Sequence, residues 1–243
     1  MGIGTKYGIT AETGNNIQTN GLIFYVDPAY QKSYITGSLP QSVFNLASGS
    51  LTPTGSLKAA TEFQGPLTAS WVFDGTDDYI DCGEDICNFA HTDSFTISGW
   101  INFALDSTAD TIVGRQTFPF PGWNLGVDAS NKAQLTISEN PFTDAGADSS
   151  ALSSGWRHIV GVWNGSAAKV YVDGSDDTTT FSNGSLSSIT GTKPLLIAAI
   201  GVPGSLVGQF GKGNIGPIMI YDRELSAADV LQNYNAQKGR FGY

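Results

Sequence analysis

The stretch from Ser94 to Phe103 constrains the fold more than any other part of the chain. Phe95, Ile97, Gly99, Ile101 and Phe103 alternate with Thr96, Ser98, Trp100 and Asn102. Successive side chains of a β-strand point to opposite faces, so this period of two predicts a long strand with one apolar face. Any fold proposed for the chain must contain a sheet built around this strand.

The composition extends that prediction to the whole chain. Charged residues make up 14% of the 243 residues, Gly numbers 30 and aromatic residues reach 11%. Sheets and tight turns use such residues, whereas long surface helices need more Glu and Lys. At this length an all-β sandwich often forms one domain. The predicted fold class is therefore all-β.

Other strands are predicted where β-branched and aromatic runs end at turn signals. Trp156–Trp163 is followed by Asn164-Gly165, and Lys169–Val172 ends at Asp173-Gly174. Such dipeptides tolerate positive φ and favour hairpins. About eleven to thirteen strands are expected, including Gly21–Val26, Trp71–Phe73, Tyr79–Ile80, Thr111–Arg115, Trp123–Val127, Lys132–Ser138, Pro194–Ile200 and Ile215–Tyr221.

One short helix is predicted near the C-terminus. Ser226 is placed as its N-cap and Asp229 follows three residues later, an acidic variant of the capping box. Leu225 and Val230 have the spacing of a hydrophobic staple, and Gly239 is predicted to stop the helix.

Charge and hydropathy argue against several classes of partner. A net charge of −10 and only 12 Lys and Arg argue against nucleic acid and anionic membrane surfaces. No apolar run approaches the roughly 20 residues of a membrane span, and the first residues lack a secretory signal, so we expect either synthesis in a host cytoplasm or the prior removal of a signal. Cys82 and Cys87 are predicted either as two reduced thiols or as a local disulfide.

The chain is expected to divide into a polar N-terminal arm, residues 1–20, and one domain, residues 21–243. The arm is rich in Gly, Thr and Asn and shows no period. Such a segment gains order only when something covers it, so we expect it to be disordered or docked onto a partner.

The order of motifs resembles the laminin-G-like, concanavalin-A-like jelly-roll family. The matching pieces are VFDGTDDYI (72–80), FTISGWI (95–101), GWRHIV (155–160), KVYVDG (169–174) and IMIYDRELS (218–226). The resemblance implies a two-sheet antiparallel jelly-roll sandwich with one short C-terminal helix. GLIFYVD (21–27), NLASG (45–49) and the ending NYN (233–235) are similar to variants carried by tailed bacteriophages as virion proteins.

Catalysis is not expected. Glycosidases of similar architecture use a Glu-x-Asp-x-(x)-Glu pattern on one strand, and none of the five Glu begins such a pattern. His158 lies inside a predicted strand, where a structural, hydrogen-bonded ring is favoured over a catalytic base. No Gly-x-Ser-x-Gly elbow is present.

Calcium is the one metal that the sequence suggests, and no other cofactor is expected. Asp74 and Asp77, with Asp78 and Asp81, crowd one turn, and oxygen ligands on loops suit Ca²⁺. The alternative is that Asp at these positions only stabilises the turn.

A contact site is predicted in the segment from Gln116 to Trp123. Two prolines, at 119 and 121, stiffen the segment that carries Phe118, Phe120 and Trp123, and rigid aromatic side chains suit sugar stacking or subunit packing. The alternative is a loop that folds back over the core.

Two functions follow from these patterns. The first is a non-catalytic virion protein, either a capsid decoration or a tail-associated adhesin. Its expected partners are other virion subunits or a cell-surface glycan, and the chain could form a homo-oligomer. The second is a carbohydrate-binding module without a virion role.

Overall fold

The computed structural model describes residues 16–30, 33, 42–47, 53–58, 62–64, 69–116, 121–202 and 205–243. The described strands are β1 (Leu22–Val26), β2 (Ser42–Phe44), β3 (Pro53–Lys58), β4 (Glu62–Gln64), β5 (Ser70–Asp74), β6 (Tyr79–Asp81), β7 (Phe95–Phe103), β8 (Asp110–Gln116), β9 (Gly122–Val127), β10 (Lys132–Asn140), β11 (Thr143–Ala151), β12 (Arg157–Trp163), β13 (Ala168–Val172), β14 (Ser175–Asp176), β15 (Thr179–Asn183), β16 (Leu196–Ile197), β17 (Ile200–Val202), β18 (Ser205–Gly208) and β19 (Lys212–Tyr221). An α-helix, α1 (Ala227–Gln237), runs directly into a 3₁₀-helix (Lys238–Phe241). Within these ranges, neither helix is long and apolar enough to cross a membrane.

Two large antiparallel sheets face each other. The eight-stranded sheet has the order β14-β13-β12-β7-β19-β5-β4, with β1 also paired to β19. The nine-stranded sheet has the order β15-β11-β10-β9-β8-β16-β6-β3-β2, and β17 and β18 form a separate hairpin. The prediction of an all-β, two-sheet sandwich with one short C-terminal helix is confirmed.

The main core lies between the two sheets, where the alternation of β7 places it. Phe95 and Ile97 are fully buried on its inner face. Leu125 and Leu135 meet them from the nine-stranded sheet and are equally buried. Burying such side chains stabilises the fold by about 1.5–3 kcal/mol each.

A second apolar cluster lies on the outer face of the eight-stranded sheet. Val160, Tyr171 and Met219 project from that face and pack against Val230 of α1. The predicted capping box is present: the Ser226 hydroxyl accepts from the amide of Asp229, and the Asp229 carboxylate accepts from the amide of Ser226. Helix α1 therefore covers this outer face.

The α-helix ends at Gln237 with Lys238 as its C-cap, directly before the predicted stop at Gly239, but Gly239 does not take the left-handed conformation. Lys238 keeps right-handed helical angles and the 3₁₀-helix continues to Phe241. Gly242 then takes a φ of +86°, the left-handed conformation that glycine adopts at low cost. The extra turn places Phe241 against Trp100, with ring centroids 4.2 Å apart.

The described end of the predicted arm packs on its own domain. Ile17 is buried in the second cluster, and the amide of Gln18 donates to the side chain of Asn233 at 2.7 Å. The Tyr221 hydroxyl donates to the carbonyl of Gln18. Residues 16–20 thus belong to the packing around α1, and residues 1–15 lie outside the described residues.

Candidate functional site

The predicted calcium ligands lie together in the turn after β5. Carboxylate oxygens of Asp74, Asp77 and Asp78 lie within 4.8 Å of one another. The same carboxylates hold the turn, because Asp74 Oδ1 accepts from the amide of Thr76 at 2.7 Å and Asp78 Oδ2 accepts from the amide of Asp74 at 3.1 Å. Ca²⁺ takes six to eight oxygens, so water would have to supply several ligands. These three carboxylates could contribute ligands to an ion, and calcium binding stays a prediction.

Trp123 does not lie on a contact surface. Its side chain is 1% exposed, its ring centroid lies 5.9 Å from that of Phe95, and its indole N–H donates to the carbonyl of Cys87. The prediction of Trp123 as a stacking residue is therefore corrected: strand β9 turns it into the core. Phe118 and Phe120 lie outside the described residues.

The side chains of His158, Cys82 and Cys87, which could in principle take part in catalysis, are buried. The Ser98 hydroxyl and His158 Nε2 lie 2.8 Å apart beneath α1, and burial lowers the pKa of His158 to about 3. His158 is therefore a neutral structural ring. Cys82 and Cys87 are free thiols in the core, and burial raises the pKa of each. Neither cysteine is poised as a reactive thiolate.

The outer face of the nine-stranded sheet carries a different kind of surface. Since Leu125, Leu135 and Ala147 point into the core, their neighbours along the strands point outward. Cross-strand register aligns these neighbours in three rows from β8 to β15. The rows are Gly114-Asn124-Thr136-Gly146-Phe181, Gln116-Gly122-Ser138-Asp144-Asn183 and Thr111-Gly126-Gln134-Asp148-Thr179.

Polar members of these rows form the floor of a cleft of about 220 Å³. It is also lined by Asn140 and Pro141 at the end of β10, by Ile200 at the start of β17 and by Gln209, which follows β18. The remaining lining residues are Gln116, Asn124, Gln134, Thr136, Ser138, Asp144 and Phe181. This set of eleven residues is called the cleft below.

Glycines bring the aromatic wall and the hairpin close to the sheet. A Cβ on Gly146 would lie 2.5 Å from Cζ of Phe181, and one on Gly114 would lie 2.5 Å from Cγ2 of Ile200. Larger residues at 114 and 146 would push both side chains away. Gly146 and Gly114 therefore let Phe181 and Ile200 lie close against the sheet.

Hydrogen bonds fix several polar groups of the cleft. The Thr136 hydroxyl donates to Gln134 Oε1 at 3.2 Å, and Gln134 Nε2 donates to Asp148 Oδ1 at 2.8 Å. Asn183 Nδ2 holds Asp144 Oδ1 at 2.7 Å. Asn124 Oδ1 is shielded from solvent and accepts no hydrogen bond from the described part of the chain. An acceptor left without a donor is rare in folded proteins and is typical of a place that a ligand or water completes.

The cleft suits binding better than hydrolysis. Carboxamides, hydroxyls and one aromatic ring match the hydroxyls and C–H faces of a sugar. Asp144 is the one carboxylate among the lining residues, and Asp148 stands four residues along β11, about 13 Å away at strand rise. Glycosidases place their two carboxyl groups about 5–9.5 Å apart.

The part of the cleft that lies on β10 has a sequence pattern, but this pattern predicts only a strand and not a binding site. In Lys132–Ser138, Ala133, Leu135 and Ile137 alternate with Gln134, Thr136 and Ser138, so the polar set is predicted to share one face. Nothing in that pattern says that the facing strands supply more polar groups. Strands β11 and β15, which complete the floor, were not predicted.

Comparison with known proteins identifies the sandwich. A family model described as the concanavalin A-like lectin/glucanases superfamily matches residues 74–231. A search among curated protein sequences finds no match.

Several solved structures share the fold at low identity. The binding domain of Paraclostridial Mosquitocidal Protein 1 superimposes with a TM-score of 0.64 at 16% identity, over 90% of this chain and 52% of that one. Domain 4 of AbnA, an extracellular arabinanase from Geobacillus stearothermophilus in complex with arabinotriose, gives a TM-score of 0.60 at 16% identity, over 88% and 98%. A structure of botulinum neurotoxin type C is described by the dependence of cell entry on interaction with two ganglioside molecules. It superimposes with a TM-score of 0.64 at 15% sequence identity, over 90% of this chain and 52% of that chain. The chain thus spans about half the length of the toxin chains.

Proposed function

Because the chain belongs to the concanavalin A-like lectin/glucanases superfamily, we propose that it is a non-catalytic module that binds glycans in the cleft on its nine-stranded sheet. The observation that carries the proposal is the contrast between the two outer faces. One is apolar and covered by α1, whereas the other presents rows of amides and hydroxyls around an aromatic ring.

Two of the similar structures support this choice of ligand. One contains arabinotriose, and the other is described by its use of gangliosides, so both concern glycans. The cleft, at about 220 Å³, is smaller than the 300–1,000 Å³ sites that enclose drug-sized ligands. We therefore expect a short glycan segment to bind weakly, with a dissociation constant on the order of 0.1–1 mM.

The proposal is tested on an immobilised glycan array with the full chain and two variants. Gln134→Ala removes the side-chain amide that is hydrogen-bonded to both Thr136 and Asp148, and Phe181→Ala removes the aromatic ring of the cleft. Leu231→Ala, which trims an exposed side chain of α1, is the control. Both cleft variants should lose glycan binding at unchanged melting temperature. Binding that survives in both, or binding to no glycan by the wild type, contradicts the proposal.

The virion setting is a separate prediction that rests on the resemblance of the two chain ends. We propose virion display, as a capsid decoration or tail-associated adhesin, in which the cleft faces a cell-surface glycan. The test is whether the chain co-sediments with intact particles, and whether removal of residues 2–15 abolishes that association. Particles that lack the protein would make this setting wrong without affecting the cleft.

A further inference from the structure

We propose that the cleft selects uncharged glycans and discriminates against sialylated or uronic-acid-containing ones. This inference rests on the proposed function and concerns the charge of the ligand. It separates this chain from the neurotoxin structure described by its use of gangliosides, which are sialylated glycolipids.

The only charged side chain that lines the cleft is negative. Asp144 is charged, and the other ten lining residues are neutral at pH 7. Asp148, two rows away on the same strand, is a second carboxylate that accepts a hydrogen bond from Gln134 Nε2, but it does not line the cleft. A ligand carboxylate beside Asp144 therefore meets a like charge and no ammonium or guanidinium from the lining residues.

The cation nearest in sequence is committed elsewhere. Arg115 precedes Gln116 of the cleft floor, but neighbouring residues of a strand point to opposite faces. Its guanidinium donates to the carbonyls of Glu84, Ile86 and Gly191, with each donor to acceptor distance between 2.6 and 3.0 Å. Arginine often binds a carboxylate through two parallel hydrogen bonds, but the guanidinium of Arg115 is engaged by these carbonyls and by Asn88 Oδ1.

The same carboxylate favours neutral sugars. Asp144 Oδ1 is held by Asn183, and its Oδ2 accepts no hydrogen bond from the described residues. A hydroxyl that donates to a carboxylate forms a charge-assisted hydrogen bond, roughly twice as strong as a neutral one. Asp144 thus attracts hydroxyl donors and repels carboxylates at a single position.

The size of the discrimination follows from Coulomb's law. Two unit charges about 4 Å apart in water repel by about 1 kcal/mol, which is roughly fivefold in affinity, and a lower local dielectric increases this. A net charge of −10 on the chain acts in the same direction. For a ligand carboxylate about 4 Å from Asp144, we therefore expect the neutral glycan to bind about fivefold more tightly than its sialylated counterpart.

The experiment compares glycan pairs that share one backbone and differ by a terminal sialic acid. The wild type, Asp144→Asn and the control Asp85→Asn, an exposed carboxylate outside the cleft, are titrated with each member by calorimetry at low salt. The wild type and the control should prefer the neutral member, Asp144→Asn should narrow the preference, and 0.5 M salt should narrow it for the wild type.

The outcomes separate this inference from the proposed function. If the sialylated member binds as tightly as the neutral one and Gln134→Ala abolishes both, the charge selection is overturned and glycan binding in the cleft stands. If Asp144→Asn and Asp85→Asn narrow the preference equally, the assignment to Asp144 is overturned. If neither member binds, or Gln134→Ala changes nothing, the proposed function fails and this inference fails with it.

Discussion

Arg240→Met should destabilise the domain by separating its two chain ends. Asp27, which directly follows β1, is 3% exposed and accepts hydrogen bonds from Tyr25 Oη at 2.8 Å and from the amide of Ala29 at 2.9 Å. Arg240 of the 3₁₀-helix donates to both Asp27 oxygens, at 2.7 and 3.0 Å. Methionine keeps the apolar stem of the arginine but leaves the buried carboxylate without its charge partner.

The size of the effect follows from the burial of the pair. Removing one partner of a buried ion pair costs about 3–5 kcal/mol. The Arg240 side chain is 26% exposed, which reduces the range to about 2–4 kcal/mol. In a domain of this size each kcal/mol shifts the melting temperature by about 2–4 °C, so a loss near 3 kcal/mol predicts a drop of roughly 6–12 °C.

The assay is thermal unfolding followed by near-ultraviolet circular dichroism, with Lys169→Met as an exposed control on β13. The control should melt within about 1 °C of the wild type. If Arg240→Met also does so, the ion pair does not hold the C-terminal turn against β1 and the reasoning is refuted.

Three further predictions address other sites. Burial raises the pKa of Asp110 to about 6 from a usual 3.8, so the folded state holds this proton more tightly than the unfolded state and the wild type gains stability as pH falls from 6 to 3.8. Asp110→Asn should therefore raise the melting temperature at pH 7.5, by the equivalent of about 1–3 kcal/mol, and the gain should shrink towards pH 4; an equal gain at both pH values contradicts this. If the turn at Asp74 and Asp77 binds calcium, millimolar Ca²⁺ should raise the melting temperature of the wild type but not of Asp74→Ala, and identical melting in calcium and chelator leaves the turn-forming role alone. Changing both Phe118 and Phe120 to Ser should weaken the binding of the protein to glycan or to virus particles without changing its melting temperature. If binding to both is unaltered, the prediction of a contact site in this segment is wrong.

The sequence was most informative where a single period or cap decides the local structure. The alternation of Ser94–Phe103 placed β7, and Ser226 with Asp229 placed the start of α1, because each pattern has one low-energy solution. The sequence led to a wrong prediction where one residue belongs to two patterns. Trp123 follows a proline-rich stretch, but it also begins an alternation with Leu125 and Val127, and the apolar face of β9 decided its position.

The missed part of the cleft has a physical reason. Strand β11 has the sequence TDAGADSSA, with only one β-branched residue, and small residues have low β-propensity. It forms because it pairs on both sides, with β10 and with β15. The small residues that lower the β-propensity of this strand also shape the cleft, because Gly146 leaves room for the ring of Phe181.

The most direct test of the central claim is an NMR titration of the ¹⁵N-labelled protein with the neutral oligosaccharide bound most tightly on the array. Glycan binding in the cleft predicts shifts of the side-chain amides of Asn124 and Gln134 and of backbone amides in β9, β10 and β11, with α1 unchanged. Shifts confined to α1, or to the Asp74–Asp78 turn, with Asn124 and Gln134 unmoved, would contradict the claim.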